Sequence, residues 1–215
     1  YHPGNWRKRV GFGTGTLGDM GCHIFSTPIR GVNLYLPQSI TSYGPGSVHG
    51  NWPIDAKIKF VFPGTQLTAG NTLDFWWYDG ATRPPQEVAT AVGGTLPGSG
   101  SVMIGTDGAI LLPHIGPPTL WPSEKFAARP VPTMPARDHY HEFLDAVLKG
   151  PGTTCSANFD YASLVTEAVL LGSLAEHFPT ETLTYDAAAM RVTSHAEPNR
   201  MLQRAYRKSY LMTRM

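Results

Sequence analysis

The segment Asp19-x-Gly21-x-His23 sets a carboxylate and an imidazole four residues apart, which on a helix is one turn and one face. A histidine titrates near neutral pH, so at such a place it takes a proton from a hydroxyl or returns one to a carbonyl. The neighbouring acid orients the ring or raises its basicity. A surface pair without chemistry is the alternative reading. Glycine weighs against it: Gly18 and Gly21 each cost a helix about 1 kcal/mol relative to alanine, and the spacing implies that something approaches this helix closely.

A second candidate group is Trp77, Tyr78, Asp79 and Arg83, which with Trp76 flanks the start of a Gly- and Pro-rich stretch. Aromatic rings stack on the C–H faces of sugars while an acid accepts hydroxyl hydrogen bonds, so these four are candidate substrate-binding residues. The competing account is strand alternation, with Trp77 in the core and Asp79-Gly80 as a turn.

Three other patterns carry less. Gly13-x-Gly15-x-x-Gly18 matches a dinucleotide fingerprint in form, but that fingerprint needs a buried strand before it and an acid about 20 residues on. The preceding Trp6-Arg7-Lys8-Arg9-Val10 is too short and too basic, so the glycines read as places where another domain or a ligand passes the backbone. His139 and His141 diverge by about 200° on a helix and do not converge on a metal; with Asp138 and Glu142 they read as a solvated helix start. Cys22 and Cys155 are too few for a disulfide framework or a thiolate zinc site. No residue is assigned to a nucleotide or a metal.

The elements that must hold these groups follow from periodicity. Leu17, Met20, Ile24 and Phe25 recur at helical spacing from about Gly13 to Thr16 until Pro28 disturbs the pattern. The other side of that helix carries a polar stripe of Asp19, His23, Ser26, Thr27 and Arg30. Residues 38–43, 54–62 and 73–78 alternate with period two and predict antiparallel strands. Ile58, Phe60 and Phe62 point one way with Leu73, Phe75 and Trp77; Lys57, Lys59 and Val61 point the other way with Asp74, Trp76 and Tyr78. Residues 80–100 read as a long loop, 102–104 and 109–112 as a hairpin, and 113–135 as irregular. Helical spacing returns with Tyr140, Phe143, Leu144, Val147 and Leu148 up to Gly150, and again with Leu164, Ala168, Leu171, Ala175 and Phe178 behind an Asn158 or Asp160 cap. A last strand at 182–185 precedes a short terminal helix. The expected fold is α+β, residues 1–215 forming one domain: an open, mostly antiparallel sheet with helices packed on one face.

Composition narrows the classes. With 17 basic against 16 acidic side chains, there is no large electrostatic footprint for nucleic acid. The basic tail from Arg200 to Arg214 reads as a packed or frayed helix. No apolar run of about 18 residues is available to span a membrane, and Tyr1 to Val10 lacks the apolar core of a signal peptide. Charged residues are only 15% of the chain, against about 25% in ordinary soluble domains, which points to a domain with partners. Trp76 and Tyr78 on the second sheet face predict a subunit interface, the rival being that the loop from Gly80 or the segment from Pro113 folds back over it.

Gly13-Thr14-Gly15-Thr16-Leu17-Gly18-Asp19-Met20-Gly21-Cys22-His23-Ile24-Phe25 resembles the segment that opens the second domain of the glucose-fructose oxidoreductase/inositol dehydrogenase/MocA family. The resemblance continues through Trp76 to Gly80, through Ala157 to Tyr161 with the helix containing Glu167, and through Met190 to Tyr210. It implies that Asp19 and His23 hold the catalytic carboxylate and histidine positions, the histidine acting as acid and base on a sugar or polyol. It also implies an NAD or NADP cofactor bound mainly by an N-terminal Rossmann domain that is not in this sequence and usually supplies a lysine. A homodimer or homotetramer, in the cytoplasm or the periplasm, is expected with it. Ser26 stands where relatives commonly carry an acid, which bears on substrate contacts. Some relatives are redox-assisted glycosidases, and a non-catalytic assembly module is the third expectation.

Overall fold

A computed structural model describes residues 2–129, 132–203 and 207. After a 3-10 turn at Pro3–Lys8, helix α1 runs Gly15–Gly31. Strands β1 (Ser39–Ser42), β2 (Ala56–Pro63) and β3 (Thr72–Asp79) follow, then the short helix α2 (Gln86–Thr90). Strands β4 (Gly100–Ile104), β5 (Ala109–Pro113) and β6 (Thr119–Trp121) come next, then α3 (Ser123–Phe126), α4 (His139–Lys149) and α5 (Phe159–Ala175). Strands β7 (Thr182–Asp186) and β8 (Arg191–Val192) close the main sheet. The fold is α+β: a five-stranded antiparallel sheet in the order β3-β2-β1-β7-β8, and a separate three-stranded sheet β4-β5-β6.

The alternation in β2 decides how the main sheet packs. Ile58, Phe60 and Phe62 are completely buried under α1 and α5, while Lys57, Lys59 and Val61 face outward and stay partly exposed. Ile40 and Leu183 lie on the same inner face and in the same row as Phe60. Phe25 of α1 reaches down among Phe60, Phe75 and Trp77 at ring separations of 5.3, 4.5 and 5.7 Å. Each such buried side chain contributes about 1.5–3 kcal/mol.

The glycines of α1 serve this domain itself rather than a visitor. A Cβ on Gly21 would meet Val169 of α5 at 2.8 Å, and one on Gly13, just before α1, would meet the Arg7 backbone at the same distance. Small residues let the two long helices approach closely, so the stability given up in α1 returns as packing. Gly15 has φ of +70° beside Trp52, a conformation costly for any side chain.

Pro28 does not end α1. It lacks the N–H that would bond the Ile24 carbonyl, and the Ser101 hydroxyl of β4 donates to that oxygen instead at 3.1 Å. Buried Pro28 and Ile29 hold the last turn in place, and the substitute bond docks the small sheet against α1.

Other expectations shift modestly. The loop at 80–100 contains α2, and 113–135 contains β6 and α3, elements too short for periodicity to reveal. Asn158, not Asp160, caps α5, accepting from the Tyr161 N–H. The apolar face of α4 is exposed, Leu148 being 80% accessible and Val147 62%. Among the described residues nothing covers it. Most of the basic tail from Arg200 lies outside the described residues.

Candidate functional site

The N-terminus of α1 is fixed from two sides. Trp52 donates its indole N–H to the Gly13 carbonyl at 2.7 Å, and Ser173 of α5 donates to the Thr14 carbonyl. The entering chain is pinned where Trp52 N–H bonds the Lys8 carbonyl and Val10 N–H bonds that of Gly50. This brings Arg7 alongside α1, and its Nε lies 3.0 Å from Asp19 Oδ2.

Asp19 is thus paired with Arg7 rather than with His23. The exposed ring of His23 meets His114 instead, at 5.3 Å between centroids and 37° between planes. His114 sits just beyond β5, its N–H bonded to the Ser99 carbonyl. No local spacing connects it to His23, so it escaped the sequence reading; only the docking of β4 on α1 joins them.

The stripe divides along its length. Its first half, Asp19 and His23, opens to solvent. Its second half is tied to α5: the Tyr161 hydroxyl lies 2.8 Å from Ser26 Oγ and also donates to the Ser26 carbonyl, while the Arg30 guanidinium stacks on the Tyr161 ring at 3.8 Å. Ser26 is therefore a packing residue here. Glu142 of α4 accepts from the Ser156 backbone and hydroxyl, and those bonds hold its carboxyl below the usual range.

The aromatic group on β3 has a different setting. Trp77 is buried, and its indole N–H donates to Asp79 Oδ2 at 2.8 Å; Asp79 Oδ1 accepts the Ala56 N–H at 2.8 Å. Oδ1 thus joins β3 to the start of β2, while Oδ2 holds the Trp77 indole of its own strand. Burial raises the Asp79 pKa, partly opposed by those two hydrogen bonds. Gly80 follows at φ of +64°, and Arg83 folds back to donate to the Gly80 and Thr82 carbonyls. Tyr78 lies on the outer face, stacked on Trp76 at 6.0 Å.

Next to Asp79 is a group that sequence did not single out. Glu176, just past α5, is only 3% exposed, and burial with the nearby Asp79 charge pushes its pKa up to about 8. Burial likewise lowers the pKa of His177, which meets Trp52 at 4.8 Å.

A cleft of about 1670 Å³ separates β3 from the small sheet, and Met20, Ile24, Phe75, Tyr78, Val102 and Leu111 are among its walls. Trp77, Asp79 and Arg83 also border it; Asp19 and His23 stand on the adjoining side of α1. Asp138 caps α4 by accepting from the Tyr140 and His141 N–H groups, the solvated helix start expected there. Among the described residues no three His, Cys, Asp or Glu gather to hold a metal, and no helix is long and apolar enough to cross a membrane. Compared with models of known protein families and with curated proteins, the chain matches none.

Proposed function

We propose that this chain is the substrate side of an NAD(P)-dependent oxidoreductase acting on a sugar or polyol hydroxyl or carbonyl. The observation that carries the reading is the open half of the α1 stripe, where His23 is presented to solvent next to His114 and Asp19 is held by Arg7. An exposed imidazole on a rigid helix suits proton transfer at a substrate oxygen. The Asp19–Arg7 pair sets the charge one turn away, and in this reading Asp19 is a positioning residue.

In this reading Gly13 to Gly18 are not a nucleotide cradle. Gly13 to Gly18 follow a 3-10 turn, not a buried strand, so the strand–turn–helix that would hold a pyrophosphate is missing from this segment. NAD or NADP is therefore assigned to a Rossmann-type domain outside these residues, and the chemistry assigned to this chain is proton transfer alone.

The test is turnover by the complete protein with NAD or NADP and a panel of polyols. Reduced cofactor that accumulates, and is lost with His23→Ala, supports the dehydrogenase. Release of an aglycone without net reduction moves the assignment to a redox-assisted glycosidase. No turnover of any sugar leaves an assembly module.

A homodimer or homotetramer belongs to the same proposal. On the outer sheet face Tyr43, Trp76 and Tyr78 stack in a row, with Lys57 over the first two rings and Lys59 paired to Asp74 at 2.8 Å. Light scattering of the complete protein is expected to give at least the dimer mass at micromolar concentration; a monomer there removes the interface.

A further inference from the structure

Two imidazoles that lie far apart in sequence meet at the surface of this fold. His23 belongs to α1 and His114 follows β5; both are exposed, and their ring centroids are 5.3 Å apart. Among the described residues no ring nitrogen of either takes part in a hydrogen bond. All four nitrogens are left to an outside partner.

Docking of the small sheet fixes where the two rings start. The Ser101 hydroxyl of β4 donates to the Ile24 carbonyl, next to His23 in the chain, and the Ser99 carbonyl just before β4 accepts the His114 N–H. Each histidine backbone is thus tied at or beside its own position, and only side-chain torsions remain to be set. The separation of the rings has a chemical counterpart. With zinc–nitrogen bonds of about 2.0–2.1 Å, each ring centre lies about 3.2 Å from the ion, and two rings at the tetrahedral angle stand about 5.2 Å apart. The observed separation is 5.3 Å. The tilt of 37° between the planes is compatible with this, because each ring turns about its own nitrogen–metal axis.

We propose that His23 and His114 together form a binding site for a divalent transition cation of the zinc, copper and nickel class. Imidazole nitrogen is a donor these ions favour, whereas magnesium and calcium take oxygen. No third His, Cys, Asp or Glu joins the pair among the described residues, so the ion's other positions belong to water or to an added ligand. Cys22 is exposed and precedes His23, but successive residues of a helix diverge by about 100°, which directs the thiol away from the pair. An ion held here occupies the imidazole to which the oxidoreductase reading gives proton transfer, and so inhibits turnover. That consequence rests on the reading; the binding itself does not.

The test is calorimetric titration of Zn²⁺ into the complete, untagged protein. His23→Gln and His114→Gln should each weaken the binding of one ion at least tenfold, and the double variant should weaken it little further, since either loss already breaks the chelate. Both side chains are exposed, so melting temperatures should stay near the parent's. Excess Mg²⁺ should leave the Zn²⁺ isotherm unchanged. With Cu²⁺ in place of Zn²⁺, electron paramagnetic resonance of the parent should show two imidazole nitrogens on one ion, reduced to one in either single variant. Parental Zn²⁺ affinity in either variant, a single nitrogen on the parent's copper, displacement by Mg²⁺, or loss of binding with Cys22→Ser overturns the site. Inhibition is read separately: Zn²⁺ that binds as described but leaves turnover unchanged upholds the site and removes His23 from proton transfer.

Discussion

Helix α1 and strand β3 both offered acid and ring side chains close in sequence, yet the fold uses them in opposite ways. On α1 the imidazole of His23 stays exposed, its ring against another imidazole, and Asp19 spends one oxygen on an arginine at the surface. On β3 the indole of Trp77 is buried and both oxygens of Asp79 are committed to the chain's own donors. A half-buried carboxylate with an internal donor on each oxygen is held in place by its own fold and is less available to a substrate. The difference separates a place where chemistry can occur from one where the same residue types hold a strand end together.

The largest expected effect belongs to α1. In the complete protein His23→Ala should lower turnover by about 10²- to 10⁴-fold with a smaller change in KM, and Asp19→Asn should act in the same direction. Steady-state kinetics decide, and parental turnover in both variants would reduce the stripe to a solvated surface. On β3 the expectation reverses: Trp77→Ala should cost about 3–5 kcal/mol of stability, read by denaturant unfolding. A variant with parental stability but raised KM would instead make Trp77 a sugar platform.

The contrast sharpens further at Glu176, beside Asp79. Folding raises the pKa of this acid from its ordinary 4.5 to about 8, so between those values the folded chain keeps a proton that the unfolded chain has released. Stability from this group is therefore full below pH 4.5, falls as pH rises to about 8, and is flat above. With each tenfold change in proton affinity worth about 1.4 kcal/mol, the loss is on the order of a few kcal/mol. Glu176→Gln should flatten that decline in melting temperature against pH, and an unchanged slope would place the carboxyl in contact with water. The smallest effect is expected at Ser101→Ala, about 1 kcal/mol. Amide exchange in β4 should rise more than in β2, because the bond lost docks only the small sheet onto α1.

Much of the fold could be read from local pattern, since its causes are local. Alternation in β2 and β3 assigned each side chain its face, and the Gly150 stop and a cap at Asn158 or Asp160 follow from unpaired helix-end groups that nearby side chains or chain reversals satisfy, the structure choosing Asn158. Reading failed where a distant partner decides. Pro28 marked a disturbance of the helical pattern because its missing N–H is visible in the sequence, whereas the Ser101 hydroxyl that answers it lies on another sheet. Gly21 announced a close approach without saying that Val169 makes it.

The same division runs through the candidate site. Sequence by itself determined that Asp19 and His23 share a helix face, that Trp77 and Tyr78 point to opposite sides of a strand, and that the chain is α+β, because these depend only on the 3.6- and two-residue periods of the backbone. Tertiary structure alone decided that Asp19 faces Arg7, that His114 reaches His23, that each Asp79 oxygen accepts a bond from the fold, and that Glu176 is buried beside it. Availability for chemistry is set by burial and by which hydrogen-bond partners arrive from elsewhere in the chain, and no local period records those arrivals.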